Sequence, residues 1–100
     1  MRLVVRDEAE ADIAEAARWY ERRLPGLGSE FLRAVSVTLA EVALLPERYP
    51  VVRGKARRAL LRRFPYGVFF VATPELIIVL ACLHVGRDPR RWLERVEGGG

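Results

Sequence analysis

The spacing of apolar residues in this 100-residue chain changes once, near Pro46, and that change decides what the chain can fold into. Before it, Ala9, Ile13, Ala16, Ala17, Tyr20 and Leu24 recur every three or four positions, and so do Phe31, Leu32, Val35, Leu39, Val42 and Ala43. That period places each set on one face of an amphipathic helix. Asp7 and Ser29 are the expected N-caps, and Pro25-Gly26 separates the two helices. Acids Asp7, Glu8, Glu10 and Asp12 open the first helix and Arg22 and Arg23 close it, as the helix dipole favours. A short β-branched stretch, Leu3-Val4-Val5, precedes them as a strand. After the turn from Pro46 to Pro50 the pattern turns to strands, over residues 57–64, 67–73 and 76–83.

Thr73-Pro74-Glu75 is too short for anything but an antiparallel connection, and Pro65 marks a turn or bulge. The run Leu76-Ile77-Ile78-Val79-Leu80-Ala81-Cys82-Leu83 has no polar alternation, so it is expected to be buried on both faces, as a central strand or under a partner. Pro89 suits the first position of a short helix over residues 90–96, and residues 97–100 read as a flexible tail. The expected fold is α+β in the order strand, helix, helix, strand, strand, strand. An antiparallel sheet carries the helical hairpin on one face and a short C-terminal helix, as a single domain over residues 1–96. The other sheet face is left for solvent, a ligand or another chain.

Charge is divided between the halves: seven basic against nine acidic side chains in residues 1–50, ten against four in residues 51–100. Sixteen of the seventeen basic residues are arginine, whose planar fork suits phosphate and carboxylate groups. An anionic partner is expected. With one cysteine (Cys82) and one histidine (His84) the chain has neither an internal disulfide nor the ligands of a zinc cluster, and no metal or cofactor is expected. The eight-residue apolar run is too short to span a bilayer and the first residues lack a signal-peptide core, so a cytoplasmic setting without membrane contact is expected.

Candidate chemistry gathers in two segments. In residues 57–66, strand alternation sends Arg58 and Arg62 to one face and Arg57 and Arg63 to the other, ahead of Phe64-Pro65-Tyr66. In residues 84–92, His84, Arg87, Arg90, Arg91 and Trp92 bring an imidazole, guanidinium groups and an indole together. Such a set can hold RNA phosphates, stack on bases through Tyr66 or Trp92, and transfer a proton at His84. Equally, His84 can be a structural histidine at a strand end, and Tyr66 and Trp92 can be packing aromatics. No carboxylate pair, serine triad or metal-spaced cluster competes.

Arg62-Arg63-Phe64-Pro65-Tyr66, followed by His84-Val85-Gly86-Arg87-Asp88-Pro89-Arg90-Arg91-Trp92, resembles the RelE/ParE superfamily of type II toxin-antitoxin toxins, also called plasmid stabilisation proteins. The hairpin closed by Pro46 is similar too, and the resemblance spans residues 3–95. It implies a small basic toxin held inactive by a cognate antitoxin from the adjacent gene, in a heterotetramer or larger complex. Two activities follow from it. A ParE-like member acts on DNA gyrase without chemistry of its own, and the long hairpin and Phe-Pro-Tyr motif look more like this branch. A RelE-like member cleaves mRNA on the ribosome, and on that branch Arg58, Arg62, His84 and Arg87 match the catalytic positions. Arg57, Arg63, Tyr66, Arg90, Arg91 and Trp92 are the binding candidates on either branch.

Overall fold

The computed structural model describes residues 2–86 and 89–99, with the side chains of Arg91 and residues 97–99 left aside. β1 (Arg2–Val5) leads into α1 (Asp7–Arg23) and α2 (Leu27–Leu44); a 3-10 turn at Pro46–Arg48 is followed by β2 (Val51–Arg53), β3 (Ala56–Leu60), β4 (Tyr66–Ala72), β5 (Leu76–His84) and α3 (Pro89–Gly99). The five strands form one sheet in the order β1-β5-β4-β3-β2. The α+β architecture read from the sequence is the one observed, with differences of detail.

First, β1 runs parallel to β5, Arg2 opposite Leu76 through Val5 opposite Val79, so the sheet is mixed rather than wholly antiparallel. Second, β2 adds an edge strand that Pro50 and the brevity of Val51-Val52-Arg53 conceal; Gly54, at φ +56°, supplies the left-handed turn into β3. Third, β3 stops at Leu60, short of the expected residue 64. Arg63 sits at φ +70°, a left-handed conformation costly for a side chain with a Cβ, and the loop it bends turns both Leu61 and Phe64 into the core. α3 also runs to Gly99, past the expected end at residue 96.

The caps differ as well. Arg6 and Gly26 occupy the N-cap positions of α1 and α2, neither with a side-chain cap bond, so Asp7 and Ser29 are not the caps. Glu21, near the end of α1, performs the task for α2. Its carboxylate accepts the backbone N–H groups of Gly26 at 3.0 Å and Gly28 at 3.0 Å, two of the donors a helix start leaves without partners.

β5 explains its own missing alternation. Phe69 lies opposite Ala81 and Phe70 opposite Val79, so Leu80 is an extra residue and the strand bulges there. Ile77, Val79 and Cys82 enter the core beneath the hairpin, while Leu80 and Ala81 enter a second core on the far face. The strand is central and buried on both sides, as expected. The hairpin core centres on Phe31, whose ring lies 5.4 Å from Tyr20, 5.2 Å from Phe64 and 5.1 Å from Tyr66. The far face is not left open: Trp92 and Val96 of α3 cover Phe69, Leu80 and Ala81. No helix among the described residues is long and apolar enough to cross a membrane.

Candidate functional site

The candidate arginines do not gather. Arg57 and Arg58 alternate across β3 as expected, but the alternation ends with the strand. Arg57 points to the hairpin side, where its guanidinium donates to the carbonyls of Tyr49 at 2.6 Å and Glu47 at 3.3 Å and ties down the 3-10 turn. Arg58 points to the α3 side. Its guanidinium lies 5.3 Å from the Trp92 ring centre, its stem packs over Gly67, and its buried Nε has no hydrogen-bond partner among the described residues. Arg62 and Arg63, expected on opposite faces, both reach α2, Arg62 to Glu41 at 3.1 Å and Arg63 to Glu30 at 2.9 Å. The cause is the Arg63 turn, which breaks the period of two.

Tyr66 and His84 are brought together. They are register partners at the end of the β4–β5 ladder, with ring centres 5.3 Å apart. His84 Nδ1 accepts the Gly86 N–H at 3.1 Å, which assigns the proton of the neutral ring to Nε2. Trp92 is buried and stacked on Phe69, centres 5.1 Å apart at 26°. Arg90 is exposed on α3. Arg87 and the side chain of Arg91 lie outside the described residues.

His84 and Tyr66 lie in a cleft of about 710 Å³ between α1, the end of the β4–β5 ladder and α3. Its walls hold residues the sequence did not single out as a site: Glu15 and Trp19 on α1, Glu94 and Arg95 on α3. Asp12 joins the two walls. Its carboxylate takes a bidentate bond from Arg95, at 3.1 and 2.9 Å, and also accepts the backbone N–H of Cys82 at 3.1 Å, beside the bulge. Their one signal in the sequence is helical spacing, since Asp12, Glu15, Ala16 and Trp19 share a face of α1 next to its buried stripe.

The electrostatics of this cleft matter for chemistry. Arg95 is already committed to Asp12, and Glu15 and Glu94 add two further carboxylates to the cleft walls. A phosphodiester entering here would face negative charge on two walls, opposed by Arg22. General acid–base work needs proton donors and acceptors placed about the reacting atoms, together with stabilisation of the developing phosphoryl charge. Among the described residues the cleft holds the imidazole, two phenols, three carboxylates and two guanidinium groups, one of these paired with Asp12. Among them, no group of three His, Cys, Asp or Glu side chains could hold a metal ion.

Cys82 lines the same cleft and is almost wholly buried; burial, with the nearby Asp12 carboxylate, pushes its thiol up from about 9 to about 12. A group whose folded pKa is raised leaves full stability below its unfolded pKa and loses it as pH rises. Stability should therefore fall between about pH 9 and about pH 12. Urea midpoints measured across that range should decline more steeply for the wild type than for Cys82→Ala; equal slopes would contradict the assignment.

A second recess, of about 460 Å³, is almost wholly apolar. Val5, Ile13, Ala14, Ala17 and Leu32 line it, with Glu10 and Arg18 at its rim. It adjoins β1, an edge strand paired only with β5.

No protein-family model matches the chain, and no curated protein matches it. Among solved structures it is similar to a chain of the chromosomal ParDE TA system from P. aeruginosa. The TM-score is 0.77, covering 85% of this chain and 96% of that one, at 18% sequence identity. The likeness is one of fold.

Proposed function

We propose that this protein is the toxin of a type II toxin-antitoxin system, neutralised by a cognate antitoxin and acting on DNA gyrase in the manner of ParE rather than as a ribosome-dependent mRNA endoribonuclease. The observation that carries the toxin proposal is the match, over nearly the whole of both chains, to a component of a ParDE TA system. What favours the non-nuclease branch is the cleft around His84. Arg62 and Arg63 are drawn to α2, Arg58 lies over Trp92, and Glu15 and Glu94 line the cleft that holds His84. The expected setting is the cytoplasm.

We assign the antitoxin contact to the recess beside β1. α3 covers the sheet face that the sequence left open, whereas the apolar recess beside β1 remains, next to a strand edge with no neighbouring strand on that side among the described residues. An extended or amphipathic segment of acidic character fits there, its apolar residues on Ile13, Ala17 and Leu32 and an acid toward Arg18. Titration with the product of the adjacent gene should give a tight complex. Leu32→Arg, at a half-exposed position that should tolerate it, should weaken that complex about tenfold or more with folding intact. No complex with the wild type at low salt would remove the toxin proposal; a complex indifferent to Leu32→Arg would move the contact elsewhere.

A further inference from the structure

We propose that the outward face of α2 is a two-fold self-association surface, on which a second copy of this chain packs its own α2 antiparallel to the first. Surface helices ordinarily carry charge on the side turned to water. α2 has three charged residues in eighteen, Glu30, Arg33 and Glu41, and Glu30 and Glu41 are engaged by Arg63 and Arg62. The outward face is made of Ser29, Arg33, Ser36, Val37, Ala40 and Leu44, all exposed, with Val37 at 44% and Leu44 at 79%. Two of these are large aliphatic side chains presented to solvent with small residues between them. α1 differs: its exposed positions include Glu8, Glu10, Glu15, Arg18 and Arg22.

The charges of α2 select the occupant. Arg33 is the helix's one cation and has no partner among the described residues, and the last turn of α2 contains no basic residue to meet its negative dipole end. A two-fold axis at Val37 of an antiparallel pair sets Arg33 of each copy beside the C-terminal turn of the other, where Glu41 is held by its own Arg62 and the end carbonyls of the helix are left to meet the guanidinium. Each copy thus supplies what the other lacks. Ser36 and Ala40 at the crossing allow close approach, and Val37 and Leu44 pack across it. Such a face is self-complementary, as an isologous interface requires. It borders the apolar recess by β1, since Leu32 is one turn from Ser29 and Ser36 on α2, and it stands or falls independently of the toxin proposal.

Sedimentation velocity of the purified full-length chain over a concentration series tests this directly. The wild type should pass from monomer to dimer as concentration rises. Val37→Glu, at an exposed position that leaves the fold intact by circular dichroism, should weaken the dimer about tenfold or more. Arg33→Glu should weaken it too, because it sets a carboxylate against the negative end of the partner helix, whereas Arg33→Lys should retain it. A wild type that stays monomeric throughout overturns the proposal, and so does a dimer insensitive to Val37→Glu or to Arg33→Glu. A monomer whose antitoxin complex is lost on Val37→Glu would also overturn it, by assigning the face to that partner instead.

Discussion

Trp92→Ala should cost about 3–5 kcal/mol of folding stability, the range for truncating a buried tryptophan. A domain of this size holds about 5–15 kcal/mol in all, so the variant should lie near the edge of folding. The indole closes the far face of the sheet: it stacks on Phe69, lies beneath the Arg58 guanidinium and shares a core with Leu80, Ala81 and Val96. Removing it opens a cavity under α3 and takes away the main apolar contact of a helix that the sheet needs as a lid. Trp92→Phe should keep most of the stability, since a ring remains on Phe69. Urea denaturation of the three proteins decides the matter. Trp92→Ala melting with the wild type while losing a binding activity would instead make Trp92 a ligand contact.

Asp12→Ala should be the next most damaging change, at about 2–3 kcal/mol. The larger share is the Cys82 N–H, which loses its acceptor in a partly buried position where an unmet donor costs about 1–3 kcal/mol. The ion pair adds less, because the Arg95 side chain is 41% exposed and solvent screens it. The two contributions separate by design. Asp12→Asn keeps an acceptor for Cys82 and gives up the charge, so it should cost less than Asp12→Ala, and Arg95→Ala should cost about 1 kcal/mol or less. Chemical denaturation of the set should give the order Asp12→Ala, Asp12→Asn, Arg95→Ala. Equal losses for Asp12→Ala and Arg95→Ala would assign the whole effect to the ion pair.

These two residues show how differently the sequence exposes fold and site. The helical hairpin, the central place of β5 and the C-terminal helix follow from spacing, because a period of three to four or an unbroken apolar run reports burial directly. Arg62 and Arg63 misled for a physical reason. Alternation predicts faces only while the backbone stays extended, and a left-handed residue at Arg63 ends that condition without any glycine to announce it. Arg6, Asp7 and Ser29 show a similar limit, since the capping of α2 falls to Glu21, a residue of the preceding helix.

The cleft was the least legible part. His84 and Tyr66 are found as a pair from strand register, but Glu15, Glu94 and Arg95 reach it only through the packing of α1 and α3 around the sheet end. That packing brings together positions about eighty residues apart, as in the Asp12–Arg95 pair. Their charge changes what the imidazole can do there. Trp92, open to either a stacking or a packing role in the sequence, is seen in the structure to pack.

The central claim is a toxin that damages DNA through gyrase and leaves RNA intact. The most direct measurement is inducible expression of the chain in bacterial cells, with and without the adjacent gene, followed by mapping of gyrase-linked DNA breaks and mRNA 5′ ends in the same culture. The account predicts growth arrest relieved by the adjacent gene, accumulation of gyrase-linked breaks, and unchanged transcript ends. Growth arrest with new codon-phased mRNA ends and no DNA breaks would contradict it and return His84 to the role of a catalytic group.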